Sequence, residues 1–163
     1  MAKPTIYATP ICIVLSILVI IGIIWGVMQH NPLIITLFLL PAVGYEAYRT
    51  EGESTRWASW AMLILILAEL ICIIFKVNFD LATYFNAPTA YFYGYFLPLS
   101  DIKVIFPIVM VFLSFILFFR TIGKYTKWLA VLLFISSIAI VYVINQDILK
   151  SLLHLGSYGG FYY

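Results

Sequence analysis

The stretch "LILILAELICIIFK", residues 63–76, decides the architecture. Nine of its first ten residues are apolar, the composition a lipid bilayer selects, yet a glutamate, Glu69, stands among them. Insertion scales charge about 2.5–3.5 kcal/mol for an acidic residue at the centre of a membrane helix, whereas each Leu, Ile or Phe returns about 0.3–0.6 kcal/mol. The ten such residues from Leu63 to Phe75 outweigh that cost. A span over residues 57–77 therefore inserts, with Glu69 within about one turn of its midpoint and too deep to snorkel easily to the interface.

The rest of the chain has the same character. Of its 163 residues 64% are hydrophobic and 10% charged, with a mean hydropathy of +1.08, which leaves too little polar surface to coat a water-soluble globule. Uninterrupted apolar runs predict an all-α, polytopic transmembrane bundle of about five spans, at residues 6–28, 33–48, 57–77, 104–119 and 128–144. All of residues 1–163 form a single transmembrane domain, with no internal repeat and no interdomain linker. The second run is short and has Pro41 in its middle, so it reads as either a kinked span or a re-entrant segment. Residues 6–28 are read as a retained span rather than a signal peptide, because the run is long and no small-residue cleavage site follows it.

Lys and Arg residues set the expected orientation. Lys3, Arg49, Arg56, Arg120, Lys124 and Lys127 fall on one side of a five-span arrangement, and Lys76, Lys103 and Lys150 on the other. The first side is expected to be cytoplasmic, placing the N-terminus inside and the C-terminus outside, in a prokaryotic cytoplasmic membrane. The net charge of +2 is spread along the chain, so nothing points to nucleic acid.

Winding residues 57–77 at about 100° per residue puts Ala58, Ala61, Leu65, Ala68, Cys72 and Lys76 on or beside the Glu69 stripe. Trp60, Leu63, Ile64, Leu67, Ile71 and Ile74 fall on the far side. Small residues let helices approach closely and bulky aliphatics suit lipid, so Glu69 is expected to face the bundle or a neighbouring subunit. There its carboxyl is either neutral and hydrogen-bonded or ionised beside a partner. Lys76 shares the stripe but lies seven residues on, roughly 10.5 Å along the axis, and is expected to snorkel towards Asp80 or lipid phosphate. Ser16, Ser114, Ser136, Ser137 and Tyr142 are the other intramembrane groups able to satisfy Glu69. Glu69 and Lys76 are thus the candidate intramembrane proton or ion site. The competing role for Glu69 is a polar clasp that fixes how its helix docks.

The longest connection, residues 78–101, is expected to be an outer aromatic loop. Tyr84, Phe85, Tyr91, Phe92, Tyr93, Tyr95 and Phe96 crowd into it. Such rings settle where headgroups meet water, and they also suit contact with a partner subunit, a lipid or a quinone. The run "GYEAYRTEGESTR", residues 44–56, reads as a solvated span end and loop. Pro107 is placed in a first helical turn, where proline is well tolerated.

Cys12 and Cys72 lie at different depths and are expected not to pair, and His30 and His154 have no acidic neighbours to complete a metal site. No hydrolase or transferase motif occurs, so no catalytic residue, metal or cofactor is assigned and catalysis by this chain alone is not expected. Two functions follow. The first is an accessory integral-membrane subunit of a larger complex, energy-transducing or oxidoreductase in kind, acting through helix packing and the outer aromatic surface. The alternative is a small oligomeric proton- or cation-coupled transporter or channel that uses Glu69. The expected partners are the lipid bilayer and other membrane subunits or further copies of the chain.

Overall fold

The structure is a computed structural model that describes residues 7–50, 52–77, 89–92, 95–98 and 102–146. Five helices account for most of them: α1 (Ala8–Met28), α2 (Pro32–Arg49), α3 (Glu53–Ile74), α4 (Ile102–Arg120) and α5 (Lys124–Ile144). α1, α3, α4 and α5 are long and apolar enough to cross a membrane. α2 is 18 residues long, about 27 Å, and continues through Pro41 as one helix rather than re-entering.

α2 is sustained by its surroundings more than by its hydropathy. It packs against α1, α3 and α5, while α3 and α4 pack together and α5 closes the ring against α4 and α1. A helix touching three neighbours presents less surface to lipid, so Thr36, Gly44 and Glu46 are tolerated where a peripheral span would need aliphatics. The largest core cluster draws on all five helices, through Val19, Leu39, Met62, Met110 and Leu133 among others. Bulky side chains such as Ile17, Ile64, Ile71 and Phe112 point outward, as suits an acyl environment.

Short connections force neighbouring helices antiparallel. α1 ends in a Schellman motif: the N–H of Asn31 donates to the carbonyl of Gly26 at 3.0 Å and that of His30 to Val27 at 3.2 Å, with His30 at φ +48°. Asn31 then caps α2, its Oδ1 accepting from the N–H of Leu33, and Pro32 stands at the first helical position. α3 ends in the same motif, with Val77 donating to Cys72, Lys76 to Ile73, and Lys76 at φ +49°. Residues 75–77 thus form the cap rather than the end of the span. The turn between α2 and α3 places Gly52 at φ +123°, a conformation that favours glycine.

α1 and α2 approach closely at Gly22 and Gly26. A Cβ on Gly22 would meet Cβ and Cγ of Phe38, and one on Gly26 would meet the Ile35 side chain. These glycines form a GxxxG spacing in "GIIWG", residues 22–26.

Part of the expected outer loop is a two-stranded antiparallel hairpin, β1 (Thr89–Phe92) and β2 (Tyr95–Pro98), in which Tyr91 pairs with Phe96 and Phe92 with Tyr95. α4 begins at Ile102, so Pro107 lies beyond the first turn. The N–H it lacks would have served the carbonyl of Lys103. α5 starts four residues ahead of the apolar run at 128, because the preceding connection is only residues 121–123.

Candidate functional site

The buried face of α3 reads Thr55, Ala58, Ser59, Met62, Ile66 and Glu69, a three-and-four spacing that keeps one stripe inward. Glu69 has no exposure at all. Ala61, Leu65, Ala68 and Cys72 flank it at intermediate exposure, and Trp60, Ile64, Leu67, Ile71 and Ile74 lie on the exposed side. Leu63, expected among the lipid-facing residues, is instead packed against the core.

Neither carboxyl oxygen of Glu69 has a hydrogen-bond partner among the described residues. The serines that sequence reasoning offered it are all engaged elsewhere. Ser114 donates to the carbonyl of Val111, Ser136 to Leu132 and Ser137 to Leu133, each on its own helix. Ser16 donates to Cys12 and accepts the indole N–H of Trp128, while Tyr142 is 38% exposed. Lys76 is exposed beyond the helix end, and Asp80 lies outside the described residues. Glu69 and Lys76 are therefore not brought together.

A second buried carboxyl lies nearer the basic end. Glu46, expected to belong to a solvated span end, is only 1% exposed, because Ile35, Leu39, Ala42 and Glu46 form the inward stripe of α2. Its Oε1 lies 3.1 Å from the Thr50 hydroxyl, which is also 2.8 Å from the Glu46 carbonyl. The Ser59 hydroxyl stands 3.0 Å from Thr50 Oγ1 and 3.1 Å from the carbonyl of Thr55, tying α2 to α3. Oε2 of Glu46 has no partner among the described residues. Ten residues separate Ser59 from Glu69 on the same stripe, roughly 15 Å along the helix, with Met62 and Ile66 between.

The aromatic contact residues can be placed only in part. Tyr91, Phe92, Tyr95 and Phe96 belong to the hairpin strands, while Tyr84, Phe85 and Tyr93 lie outside the described residues. No group of three or more metal-binding side chains occurs among the described residues, and both cysteines are free. No protein-family model matches this chain, and no curated protein or solved structure matches it significantly. A fully buried carboxyl with no hydrogen-bond partner among the described residues has unused capacity to take a proton or a cation, and little else.

Proposed function

We propose that this chain is a small proton- or cation-coupled membrane transporter or channel whose working group is Glu69. The observation that carries the reading is the full burial of that carboxyl within a single copy of the chain, with both oxygens lacking a partner among the described residues. A buried unsatisfied polar group costs about 1–3 kcal/mol. Intramembrane acids held at such a cost mark ion pathways by default. Glu46, whose Oε2 has no partner among the described residues and which reaches Ser59 through Thr50, supplies a second carboxyl on the α2–α3 seam between Glu69 and the basic end. In this reading the basic end faces the cytoplasm of a prokaryotic cell.

The test is flux in proteoliposomes driven by an imposed membrane potential, with proton and sodium gradients applied separately and read by an entrapped pH-sensitive dye and an entrapped sodium-sensitive dye respectively. The wild-type chain is expected to carry one of the two ions. Glu69→Gln abolishes that flux, and Glu46→Gln slows it. Flux equal to that of empty liposomes, or flux untouched by Glu69→Gln, would overturn the proposal.

An accessory-subunit role is the second reading, and the β1–β2 hairpin favours it. An isolated two-stranded hairpin is marginal in water and needs a packing partner. Because Glu69 is enclosed by its own chain, this role would rest on the hairpin and the outer helix faces, not on Glu69. Stable co-purification of other membrane subunits, lost when residues 89–98 are replaced by a Gly/Ser linker, is the result this reading requires.

A further inference from the structure

A groove of about 310 Å³ runs along the outside of the α1–α5 seam at the basic end, lined by Thr9, Cys12, Ile13, Ser16, Tyr125 and Trp128 among others. Its walls are built. The Thr9 and Tyr125 hydroxyls are 2.7 Å apart, and the Trp128 indole N–H donates to Ser16 at 2.8 Å, bracing the ring against α1. Ile13, Ile17 and Trp128 are each more than half exposed, so the groove opens sideways to the membrane. From Thr9 to Ile17 it descends roughly 12 Å along α1, the passage from headgroups into acyl chains.

Basic side chains stand next to the lining residues at the polar end. The Arg49 guanidinium sits 5.1 Å from the centroid of the Tyr125 ring, held there by one N–H donated to the Tyr45 hydroxyl at 3.0 Å. A guanidinium has five N–H donors, so this geometry leaves donors for an anion. Lys124 is exposed beside Tyr125, whereas Lys127 is drawn over Phe118 on the other flank of α5. Among the charged side chains described at this end, Arg49, Arg56, Arg120, Lys124 and Lys127 are basic, and the one acid, Glu46, is buried.

We propose that this groove is a binding site for one anionic phospholipid, with an acyl chain lying against Ile13, Ile17 and Trp128 and the phosphate held by Arg49 and Lys124. A basic pocket between membrane helices selects anionic headgroups by charge, while the apolar channel below excludes water-soluble anions. The site is independent of Glu69, which lies on α3, a helix that does not line it.

Trp128 reports directly on occupancy. In a variant carrying Trp25→Phe, Trp57→Phe and Trp60→Phe, Trp128 is the remaining tryptophan. This protein is reconstituted into phosphatidylcholine nanodiscs containing graded amounts of brominated phosphatidylglycerol or brominated phosphatidylcholine, and quenching is followed. Half-maximal quenching is expected at up to about a 30-fold lower mole fraction of the anionic lipid, the effect of two cations near the headgroups at about 1 kcal/mol each. Arg49→Gln reduces the preference about fivefold, Arg49→Gln together with Lys124→Gln removes it, and Arg49→Lys keeps most of it, which separates lost charge from lost packing. Equal quenching by both lipids, a preference that survives Arg49→Gln together with Lys124→Gln, or a Trp128 shielded from both lipids by a second copy of the chain would each overturn the proposal.

Discussion

Replacing Glu69 with leucine should stabilise the protein. The side chain is fully buried, closes the buried stripe of its helix one turn past Ile66, and leaves both carboxyl oxygens without partners among the described residues. Removing an unsatisfied buried polar group recovers its desolvation cost, about 1–3 kcal/mol, and a leucine of similar size keeps the cavity filled. We expect Glu69→Leu to gain about 2 kcal/mol, roughly a 30-fold shift in the folding equilibrium. Glu69→Gln keeps a buried polar group in the same place and should stay within about 1 kcal/mol of wild type. The measurement is reversible unfolding of the detergent-solubilised protein by SDS in mixed micelles, followed by tryptophan fluorescence and circular dichroism. The outcome separates the two roles open to this residue. A functional carboxyl is retained at the expense of stability, so stability rises as ion flux disappears. A clasp would behave in the opposite way. If both variants lose 1 kcal/mol or more, the carboxyl is bonded in the native protein and the reasoning from its isolation fails.

Other substitutions test the packing. Gly22→Ala and Gly26→Ala should each cost about 1–3 kcal/mol in the same unfolding assay, because the added Cβ meets Phe38 or Ile35 at the closest approach of α1 and α2. Gly44→Ala, where a Cβ would meet nothing within 4 Å, should instead gain about 0.5–1 kcal/mol through helix propensity. His30→Gly and Lys76→Gly place glycine at the left-handed position of two Schellman motifs and should each gain up to about 1 kcal/mol, whereas Lys76→Val should lose at least as much. Thr50→Val removes the hydroxyl beside the Glu46 carboxyl and should destabilise by about 1–3 kcal/mol, with Ser59→Ala acting in the same direction and more weakly.

Which of these features the sequence reveals depends on whether the determining interaction is local. Glu69 is legible because membrane insertion and helix winding are both local: the apolar run forces a span, and the 3.6-residue period puts alanines beside the carboxyl and aliphatics opposite. The same period was present in α2, where Ile35, Leu39, Ala42 and Glu46 follow it, yet the adjacent run of charges made Glu46 read as solvated. Hydropathy undervalues α2 for a related reason. It measures suitability for lipid, while α2 meets three helices, and that count is a property of topology rather than of its own residues. The glycine pair at 22 and 26 and the two-residue, glycine-containing spacer between "TAYF" and "YFLP" were readable signals for close packing and for a hairpin.

Contacts across long sequence separations were not readable. The Thr9–Tyr125, Ser16–Trp128 and Arg49–Tyr125 pairs join α1, α2 and α5 at one end of the bundle and depend on which helices become neighbours. The isolation of Glu69 is a fact of the same kind. Intramembrane hydroxyls exist to satisfy it, but Ser114, Ser136 and Ser137 turn back onto their own helices, each satisfying its donor within one turn at no cost in packing. A carboxyl can bond backward in this way only by protonating and reaching a carbonyl, so a buried glutamate is left dependent on what other elements bring to it. In this bundle the described elements bring it nothing. That separates a polar residue that merely fits inside a membrane protein from one with capacity to spare for a proton or a cation.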